Sequence, residues 1–399
     1  MAIAFEPDRE VRALAERVHG FIHDEVIPLK AQAANGPTGV LRATLQEKAR
    51  AAGLFVPHVG RDWGGHGLDL RGQTVVFEEA GYSLLGPLAL NCAAPDEGNM
   101  LLHEVVATPE QKQRFLGPLA RGEVRSCFAM SEPAPGAGSD PRMLRAIAGR
   151  ASGGWILHGE KWYITGAEGA GFAIVMARTA DRIDRDRGAT MFLVDMDEPG
   201  IRVERHIGSL DSGFIGGHCK VVLEELFVPD ERVLGEVDRG YHYAQVRLGP
   251  ARLTHCMRWL GVARRAQDVA VARATEREAF GSRLAELGMV QQLIADSEID
   301  IAASRALIAR AAWDLDVSGR TPETTAIAKV FVAEAVNRVV DRAVQLCGSL
   351  GVSEDLPLAQ FLRDVRPFRI YDGPSEVHRW SLARRRAKAS SGEALPGWR

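Results

Sequence analysis

The feature that most constrains the fold of this chain is a change of hydrophobic periodicity near its middle. Between about Ser126 and Gly235, short runs of β-branched and aromatic residues alternate with glycine and acidic turns. The runs are GWILHGEKWYITGA, GFAIVMART, ATMFLVDM, IRVERHIG and CKVVLEELFVP. Short apolar runs bounded by turn residues are typical of strands, because helices need a longer repeat to bury one face. We therefore predict a small all-β domain in the middle of the chain.

The two flanking regions repeat their apolar residues every three or four positions, which is typical of amphipathic helices. In the first region, Thr108 opens a segment with the pattern of a capped helix. The predicted buried stripes are Val11, Leu14, Ala15, Val18 and Ile22, then Leu253, Met257, Leu260, Ala263, Ala266 and Ala270, and finally Val332, Val336, Val339, Ala343 and Leu346. The predicted domains are residues 1–125, 126–238 and 239–399. The fold class is therefore mainly α with a central β domain.

Composition and charge exclude several classes of protein. With 46% hydrophobic and 25% charged residues, the 399-residue chain has ordinary globular composition. A formal charge of -3 indicates no surface for nucleic acid, and the basic run ARRRAK at 383–388 is interpreted as a solvated helix end. The cysteines are scattered and form no CxxC pair, which argues against a disulfide framework or a zinc site. We expect no bound metal.

Three further signals are missing from the sequence. No run of 18 apolar residues is present, so we expect no membrane span. The first residues lack the basic and apolar regions of a signal peptide, and we expect a cytoplasmic protein. No G-x-G-x-x-G follows a predicted strand, which leaves a Rossmann nicotinamide site unsupported.

The segment AMSEPAPGAGSDP, from Ala129 to Pro141, combines carboxylates and hydroxyls with many small residues. Its glycines, Gly136 and Gly138, permit positive φ angles and leave room for a flat ligand close to the main chain. An exposed turn would have the same composition, since clusters of glycine, serine and proline are common in loops. The segment is therefore either a turn or a place where a ligand approaches the backbone.

Two other segments carry chemistry with a structural alternative. In KWYITGA, strand alternation predicts that Trp162 and Ile164 share one face and that Tyr163 and Thr165 share the other. Such residues also fill the cores of β domains. Asp372 in RIYDGPSEVHR is either a catalytic carboxylate or part of an Asp-Gly turn.

Motifs in order along the chain resemble those of the acyl-CoA dehydrogenases, flavoenzymes that desaturate acyl-CoA thioesters. They are FAMSEPAPGAGSDP, GEKWYITGA, EREAFGSRL, QLCGSLGVSEDLPLAQFLRD and RIYDGPSEVHR. APDEGNM at 94–100 and the aspartate in YDGPSEVH resemble the subfamily that includes mammalian members ten and eleven. The resemblance implies an N-terminal helical domain, a small β-barrel or sandwich and a C-terminal four-helix bundle. It also implies FAD as cofactor and a place in fatty acid metabolism.

The resemblance assigns roles to particular residues. It implies flavin-ring contacts at Phe128, Met130, Ser131, Tyr163 and Thr165, with the Thr165 hydroxyl near flavin N5. It implies that the dinucleotide tail meets Arg277, Phe280, Gln345, Gly348 and Ser349 of a neighbouring subunit, which requires a homo-dimer or homo-tetramer. An arginine suits this place because its fork matches phosphate oxygens. Further cofactor contacts are implied for Pro374 and Glu376. Substrate contacts are implied for Ser139, Arg252, Tyr371 and Gly373.

The resemblance identifies Asp372 as the base that removes the α-proton of the thioester. Such chemistry needs a desolvated carboxylate within hydrogen-bond reach and donors near the developing enolate oxygen. Most of the family has glutamate at this position, whereas the resembling subfamily has aspartate. The rival position for a base, near the start of the bundle helix, is occupied by Ala251. Its neighbour Arg252 would orient or tune the aspartate.

Three functions remain open at this point. The first is an acyl-CoA dehydrogenase that passes electrons to electron-transferring flavoprotein. The second is an oxidase on the same fold, of the nitroalkane oxidase or acyl-CoA oxidase type. The third is a module that has lost its chemistry, and the retained Asp372, Arg252 and flavin motifs argue against it. An acyl group on a carrier protein is an alternative to the CoA thioester.

Overall fold

A computed structural model describes residues 7–33, 36–180, 187–211, 213–319 and 322–390 of the chain. The chain divides into two compact units. The first comprises Met1–Ala31, Leu68–Pro87 and Arg252–Arg399, and the second comprises Gln32–Gly67 and Leu88–Ala251. Each unit combines segments that are distant in sequence, so long-range packing holds each of them together.

Helices occupy the first part of the chain. Their bounds are α1 (Arg9–Phe21), α2 (Gly39–Ala51), α3 (Leu70–Gly81), α4 (Gly86–Ala89), α5 (Asp96–Val106), α6 (Pro109–Gln111) and α7 (Gly117–Ala120). Of the stripe predicted on α1, Leu14, Val18 and the following Ile22 are buried, and Val11 and Ala15 are partly buried. Thr108 caps α6, because its hydroxyl accepts from the Gln111 N–H while the Gln111 side chain accepts from the Thr108 N–H. The predicted helix start is therefore confirmed.

The middle of the chain forms a mixed β-sheet. Its strands are β1 (Ser126–Ala129), β2 (Ile147–Ala151), β3 (Gly154–Thr165), β4 (Phe172–Arg178), β5 (Ala189–Asp195), β6 (Ile201–Ile207), β7 (His218–Pro229) and β8 (Val233–Leu234). Their order is β6-β7-β3-β2-β4-β5-β8, and β1 pairs in parallel with β4. Leu157, Val175, Phe192 and Leu223 are among the residues of the core. Each β-rich run of the sequence forms a strand, which confirms the predicted central β domain.

Long helices form the last part of the chain. Their bounds are α8 (Gly240–Glu276), α9 (Gly288–Ser318), α10 (Pro322–Cys347), α11 (Leu358–Val365) and α12 (Ser375–Ser390), with a hairpin of β9 (Glu278–Ala279) and β10 (Ser282–Arg283) after α8. Both stripes predicted from the sequence, on α8 and on α10, are buried. The apolar repeat therefore identified the faces of these helices that pack.

Two glycines allow α3 and α8 to cross closely. A Cβ on Gly81 would lie 2.0 Å from the main-chain oxygen of Arg258, and one on Gly261 would lie 2.1 Å from that of Glu78. Real Cβ atoms do not approach so near, so larger residues would force the helices apart. This crossing supports the part of α8 that carries Arg252 and His255.

Two kinds of feature are absent from the described part of the chain. Within those ranges, no helix combines the length and the apolar character needed to cross a membrane. The same residues contain no group of three or more histidine, cysteine, aspartate or glutamate side chains placed to hold a metal ion.

Candidate active site

Glu132 organises the loop that follows β1. Its side chain is buried, and its carboxylate accepts hydrogen bonds from the main-chain N–H groups of Ala137 at 3.2 Å, Arg145 at 2.7 Å and Ala146 at 2.9 Å. The N–H of Glu132 in turn donates to the Ala137 carbonyl at 2.7 Å. One carboxylate therefore ties the two ends of this loop together.

The glycines of this loop do not adopt the positive φ angles that the sequence allowed for Gly136 and Gly138. At Gly136 the reason for glycine is space, because a Cβ would lie 2.5 Å from Glu132 Oε2 and 2.9 Å from the Pro133 carbonyl oxygen. Around the Cβ position of Gly138 there is open space. One glycine thus serves packing against Glu132, and the other leaves the main chain accessible.

Lys161 forms a buried ion pair with Glu132. Its side chain is fully buried, and Nζ donates to Glu132 Oε1 at 2.9 Å and to the Met176 carbonyl at 2.6 Å. Burial lowers the pKa of Lys161, and Glu132 partly offsets this effect. Burial would raise the pKa of Glu132, but Lys161 and the main-chain donors hold it below its usual range. The pair therefore joins the loop after β1 to β3.

A second link joins the same two segments. The Trp162 N–H donates to the Ser131 carbonyl at 2.9 Å, and the Ser131 hydroxyl donates to the Trp162 carbonyl at 2.7 Å. The two sequence segments predicted to contact a flavin, around Ser131 and around Tyr163, are therefore adjacent in the structure.

The predicted alternation of faces along KWYITGA is interrupted by an irregularity in β3. In β3, Lys161 pairs with Val221 and Ile164 pairs with Cys219, so the strand carries an additional residue relative to β7. This irregularity is a β-bulge, and Tyr163 within it has a φ of 54°. Lys161 and Ile164 are both buried, whereas Tyr163 is 53% exposed. The bulge therefore breaks the two-residue period between Lys161 and Ile164, while Ile164 stays buried and Tyr163 exposed, in line with the predicted faces.

Thr165 lies opposite His218, the first residue of β7. Thr165 Oγ1 is 3.0 Å from His218 Nδ1, and His218 Nε2 is 3.1 Å from Asp211 Oδ1. Sequence reasoning missed both His218 and Asp211. Only the pairing of β3 with β7 brings His218 to Thr165, which is 53 positions away in sequence. Knowing which residues of the two strands pair would have identified His218 from the sequence.

The APDEGNM segment holds β1 in place. Asp96 Oδ1 accepts from the main-chain N–H of Ser126 at 2.8 Å and from its hydroxyl at 2.7 Å. Asn99 Oδ1 accepts from Arg247 Nε at 2.7 Å, and the Arg247 guanidinium lies 4.2 Å from the centre of the Phe128 ring. This segment therefore supports the strand that leads to Met130.

Asp372 lies in a turn that several side chains stabilise. Asp372 and Gly373 both have positive φ angles, 53° and 97°. The Asp372 carbonyl accepts from Arg252 Nε at 2.9 Å and lies 3.2 Å from His378 Nε2. Burial lowers the pKa of His378 to about 4, with Arg252 adding to the effect, so a neutral ring donates here through Nε2–H. A Cβ on Gly373 would lie 2.6 Å from the same nitrogen, so a larger residue would displace the His378 ring as well as strain the backbone.

The Asp372 carboxylate faces a histidine that sequence reasoning missed. His255 Nε2 lies 3.3 Å from Asp372 Oδ2, and His255 Nδ1 lies 3.2 Å from Arg258 Nη2. Arginine only donates, so His255 accepts at Nδ1 and carries its proton on Nε2, toward the carboxylate. Arg252, His255 and Arg258 follow each other at three-residue spacing on α8, and this spacing is the signal that could have found the group.

A buried lysine and aromatic rings lie behind Asp372. Lys329 Nζ donates to the Phe368 carbonyl at 2.5 Å and lies 5.9 Å from the centre of the Tyr371 ring. Burial lowers the pKa of Lys329 to about 8. The Tyr371 hydroxyl accepts from Trp259 Nε1 at 2.5 Å. The surroundings of Asp372 are thus basic and aromatic, which balances a negative charge there.

The remaining predicted residues lie elsewhere on the described chain. Arg277 and Phe280 are exposed at the hairpin after α8, where Phe280 is 95% exposed and has a φ of 56°. Gln345, Gly348 and Ser349 are exposed at the end of α10. Ser139 is exposed, Pro374 is partly buried beside the Asp372 turn, and Glu376 is exposed in the first turn of α12.

The order of helical, β and helical regions, with these motifs in place, defines a class of flavin-dependent dehydrogenases. Family profiles match the chain in three parts: the acyl-CoA dehydrogenase N-terminal domain at residues 8–123, the middle domain at 127–225 and the C-terminal domain at 238–387. The chain belongs to the acyl-CoA dehydrogenase family. Members of this family are FAD-dependent oxidoreductases.

Individual relatives agree with this assignment. The chain is 39% identical to "Probable acyl-CoA dehydrogenase FadE2" of Mycobacterium tuberculosis, over 85% of this chain and 84% of that protein. It is 37% identical to mouse acyl-CoA dehydrogenase family member 10, over 96% of this chain but only 37% of that protein. Butyryl-CoA dehydrogenase from Megasphaera elsdenii has a TM-score of 0.85 at 25% identity, covering 96% of this chain and 100% of that one. The resemblance to the subfamily of members ten and eleven is confirmed.

The described residues suit an FAD. The exposed Tyr163 ring and the partly buried Thr165 offer an aromatic face and a hydroxyl to a planar ring system. The exposed Arg277 offers a cation for a pyrophosphate, and the exposed Gly348 and Ser349 leave room for a ligand beside the chain.

Proposed function

We propose that this protein is an FAD-dependent acyl-CoA dehydrogenase that introduces an α,β double bond into an acyl-CoA thioester, with Asp372 as the base. The observation that carries the proposal is the Asp372 turn. There a non-glycine residue adopts a φ of 53° while Arg252 and His378 contact its carbonyl and His255 faces its carboxylate. Residues in such sparsely populated conformations cluster at functional sites, where the surroundings hold them in place.

Asp372 would take the proton from the carbon next to the thioester carbonyl. Its main-chain N–H would donate to the thioester oxygen, where negative charge develops as that proton leaves. His255 would keep the carboxylate oriented, and Arg252 would keep the main chain of the turn in position. Tyr371, Gly373 and Ser139 would contact the substrate. FAD, when bound, accepts the hydride from the β-carbon.

For the flavin ring, we assign main-chain contacts to Phe128, Met130 and Ser131 and side-chain contacts to Tyr163 and Thr165. The two-way hydrogen bonding between Ser131 and Trp162 supports this assignment, because it fixes both segments relative to each other. Pro374 and Glu376, next to the Asp372 turn, are assigned further cofactor contacts.

We assign the dinucleotide tail to Arg277, Phe280, Gln345, Gly348 and Ser349 of a neighbouring subunit in a homo-dimer or homo-tetramer. The support is exposure: a phenylalanine that is 95% exposed with a φ of 56° has no packing reason within its own chain. A second subunit that binds the same FAD would cover the Phe280 side chain. The FAD pyrophosphate would then lie beside Arg277.

Arg277→Ala should weaken FAD retention by about 10- to 100-fold, because a hydrogen bond to a charged group contributes about 1.5–3 kcal/mol. The measurement is FAD release on dilution, followed by flavin fluorescence. Arg283→Ala, on the same hairpin, is the matched control and should retain FAD. Equal retention by both variants, or a monomer that holds FAD as well as the oligomer does, would contradict the shared site.

Anaerobic titration with a panel of acyl-CoAs tests the proposed function directly. An acyl-CoA should bleach the flavin absorbance without oxygen, and electron-transferring flavoprotein should restore it faster than air does. Carrier-protein thioesters and nitroalkanes belong in the same panel. Bleaching by nitroalkanes while every thioester fails would replace the dehydrogenase proposal with the oxidase.

A further inference from the structure

A hydrogen-bonded relay of one exposed serine and two largely buried side chains ends at the Thr165 hydroxyl. Ser209 Oγ donates to Asp211 Oδ1 at 2.5 Å, Asp211 Oδ1 lies 3.1 Å from His218 Nε2, and His218 Nδ1 lies 3.0 Å from Thr165 Oγ1. The side chains of His218 and Asp211 are 13% and 4% exposed. Burial shields His218 and Asp211 from water, so the direction of the hydrogen bond at Asp211 influences the one at Thr165.

Asp211 sets the direction of the relay. Burial would raise the pKa of Asp211, but hydrogen bonds from His218 and Ser209 hold it below its usual value. An ionised carboxylate only accepts, so His218 presents Nε2–H to it. A neutral His218 then has its lone pair on Nδ1 and accepts the hydroxyl hydrogen of Thr165. In that arrangement the hydroxyl offers only lone pairs to a group bound over β3.

This direction matters for a flavin, because N5 is an acceptor in the oxidised ring and carries a hydrogen in the reduced ring. A hydroxyl that only accepts favours the reduced ring. A hydroxyl that rotates freely serves both states about equally.

We propose that His218, held by Asp211, is a positioning residue that directs the Thr165 hydroxyl so that it accepts from N5–H and favours the reduced flavin. The inference rests on the proposed function, since it needs a flavin at Thr165. It adds two residues, His218 and Asp211, to the determinants of how readily the enzyme accepts the hydride.

The midpoint potential of the FAD-loaded protein tests the relay. The centres of the His218 and Phe214 rings are 5.3 Å apart. His218→Phe keeps an aromatic ring at this position but removes both ring nitrogens. It should shift the equilibrium constant for flavin reduction about tenfold toward the oxidised form. This corresponds to a midpoint potential lowered by ~30 mV for a two-electron couple. Thr165→Val should shift it in the same direction. His218→Asn should retain more of the parental potential, because its amide oxygen can accept near the position of Nδ1.

The double variant separates this role from a general structural one. If His218 acts through Thr165, His218→Phe in the Thr165→Val background should change the potential no further. Additive shifts, or a parental potential in His218→Phe, would overturn the inference. Thermal unfolding of each loaded variant checks that the fold is intact.

Nitrogen NMR of the FAD-free protein gives a second readout that needs no flavin. At a pH where the imidazole is neutral, His218 should carry its hydrogen on Nε2, and Asp211→Asn should alter that preference. A hydrogen on Nδ1 in the parent would overturn the inference whether or not the proposed function holds. A protein that never takes up FAD would instead contradict the proposed function, and this role of Thr165 with it.

Discussion

Replacing Asp372 with Asn is expected to lower the rate of flavin reduction by an acyl-CoA about 10³-fold or more, while the affinity for the acyl-CoA stays nearly the same. The variant removes the basic oxygen and leaves the shape and the main-chain N–H in place. Asparagine is one of the few non-glycine residues that readily adopt a positive φ. The turn with its φ of 53° should therefore persist, and the loss should report the carboxylate alone.

Stopped-flow absorbance under anaerobic conditions measures the reduction rate, and spectral perturbation of the bound flavin measures affinity. Asp372→Glu is the companion variant, because it keeps a carboxylate but moves it by one methylene. A displacement of about 1 Å at a reacting centre costs roughly a hundredfold in rate, so this variant should fall between the parent and Asp372→Asn. Flavin reduction at the parental rate in Asp372→Asn would place the base elsewhere.

Lys161→Met is expected to lower the free energy of unfolding by about 3–5 kcal/mol, because it leaves the buried Glu132 without its cation. Methionine fills a similar volume, so the effect should come from the lost charge and not from a cavity. The loop that Glu132 ties together leads into Ser131 and Met130. Weaker FAD retention should therefore accompany the loss of stability. Chemical denaturation of the loaded and FAD-free protein measures both effects.

Arg142→Met is the matched control for this prediction. Arg142 pairs with Asp140 at 2.6 Å in the same loop, but the side chains are 64% and 40% exposed. Exposed ion pairs contribute little to stability, so this variant should unfold almost as the parent does. If Lys161→Met proved equally mild, the main-chain donors alone would suffice to hold Glu132 in its buried position.

Local regularities of the sequence determined much of the fold. The apolar repeats on α8 and α10 identified their buried faces, and the alternating runs identified strands β3 to β7, because periodicity reflects which side of an element meets a core. Thr108 marked a helix start, since its cap involves only residues within one turn. The ordered motifs indicated the family, and they singled out Asp372 and Arg252 from among many charged residues.

Contacts between residues far apart in sequence were decided only by the tertiary structure. The bulge at Tyr163 exists only in relation to the pairing of β3 with β7. His255 reaches Asp372 only when α8 packs beside the turn before α12, and His218 reaches Thr165 only through the register of two strands. Glu132 and Lys161 look like ordinary surface charges in the sequence. Their burial as a pair is a property of the assembled sheet, because the energy of a charge depends on what surrounds it and not on its neighbours along the chain.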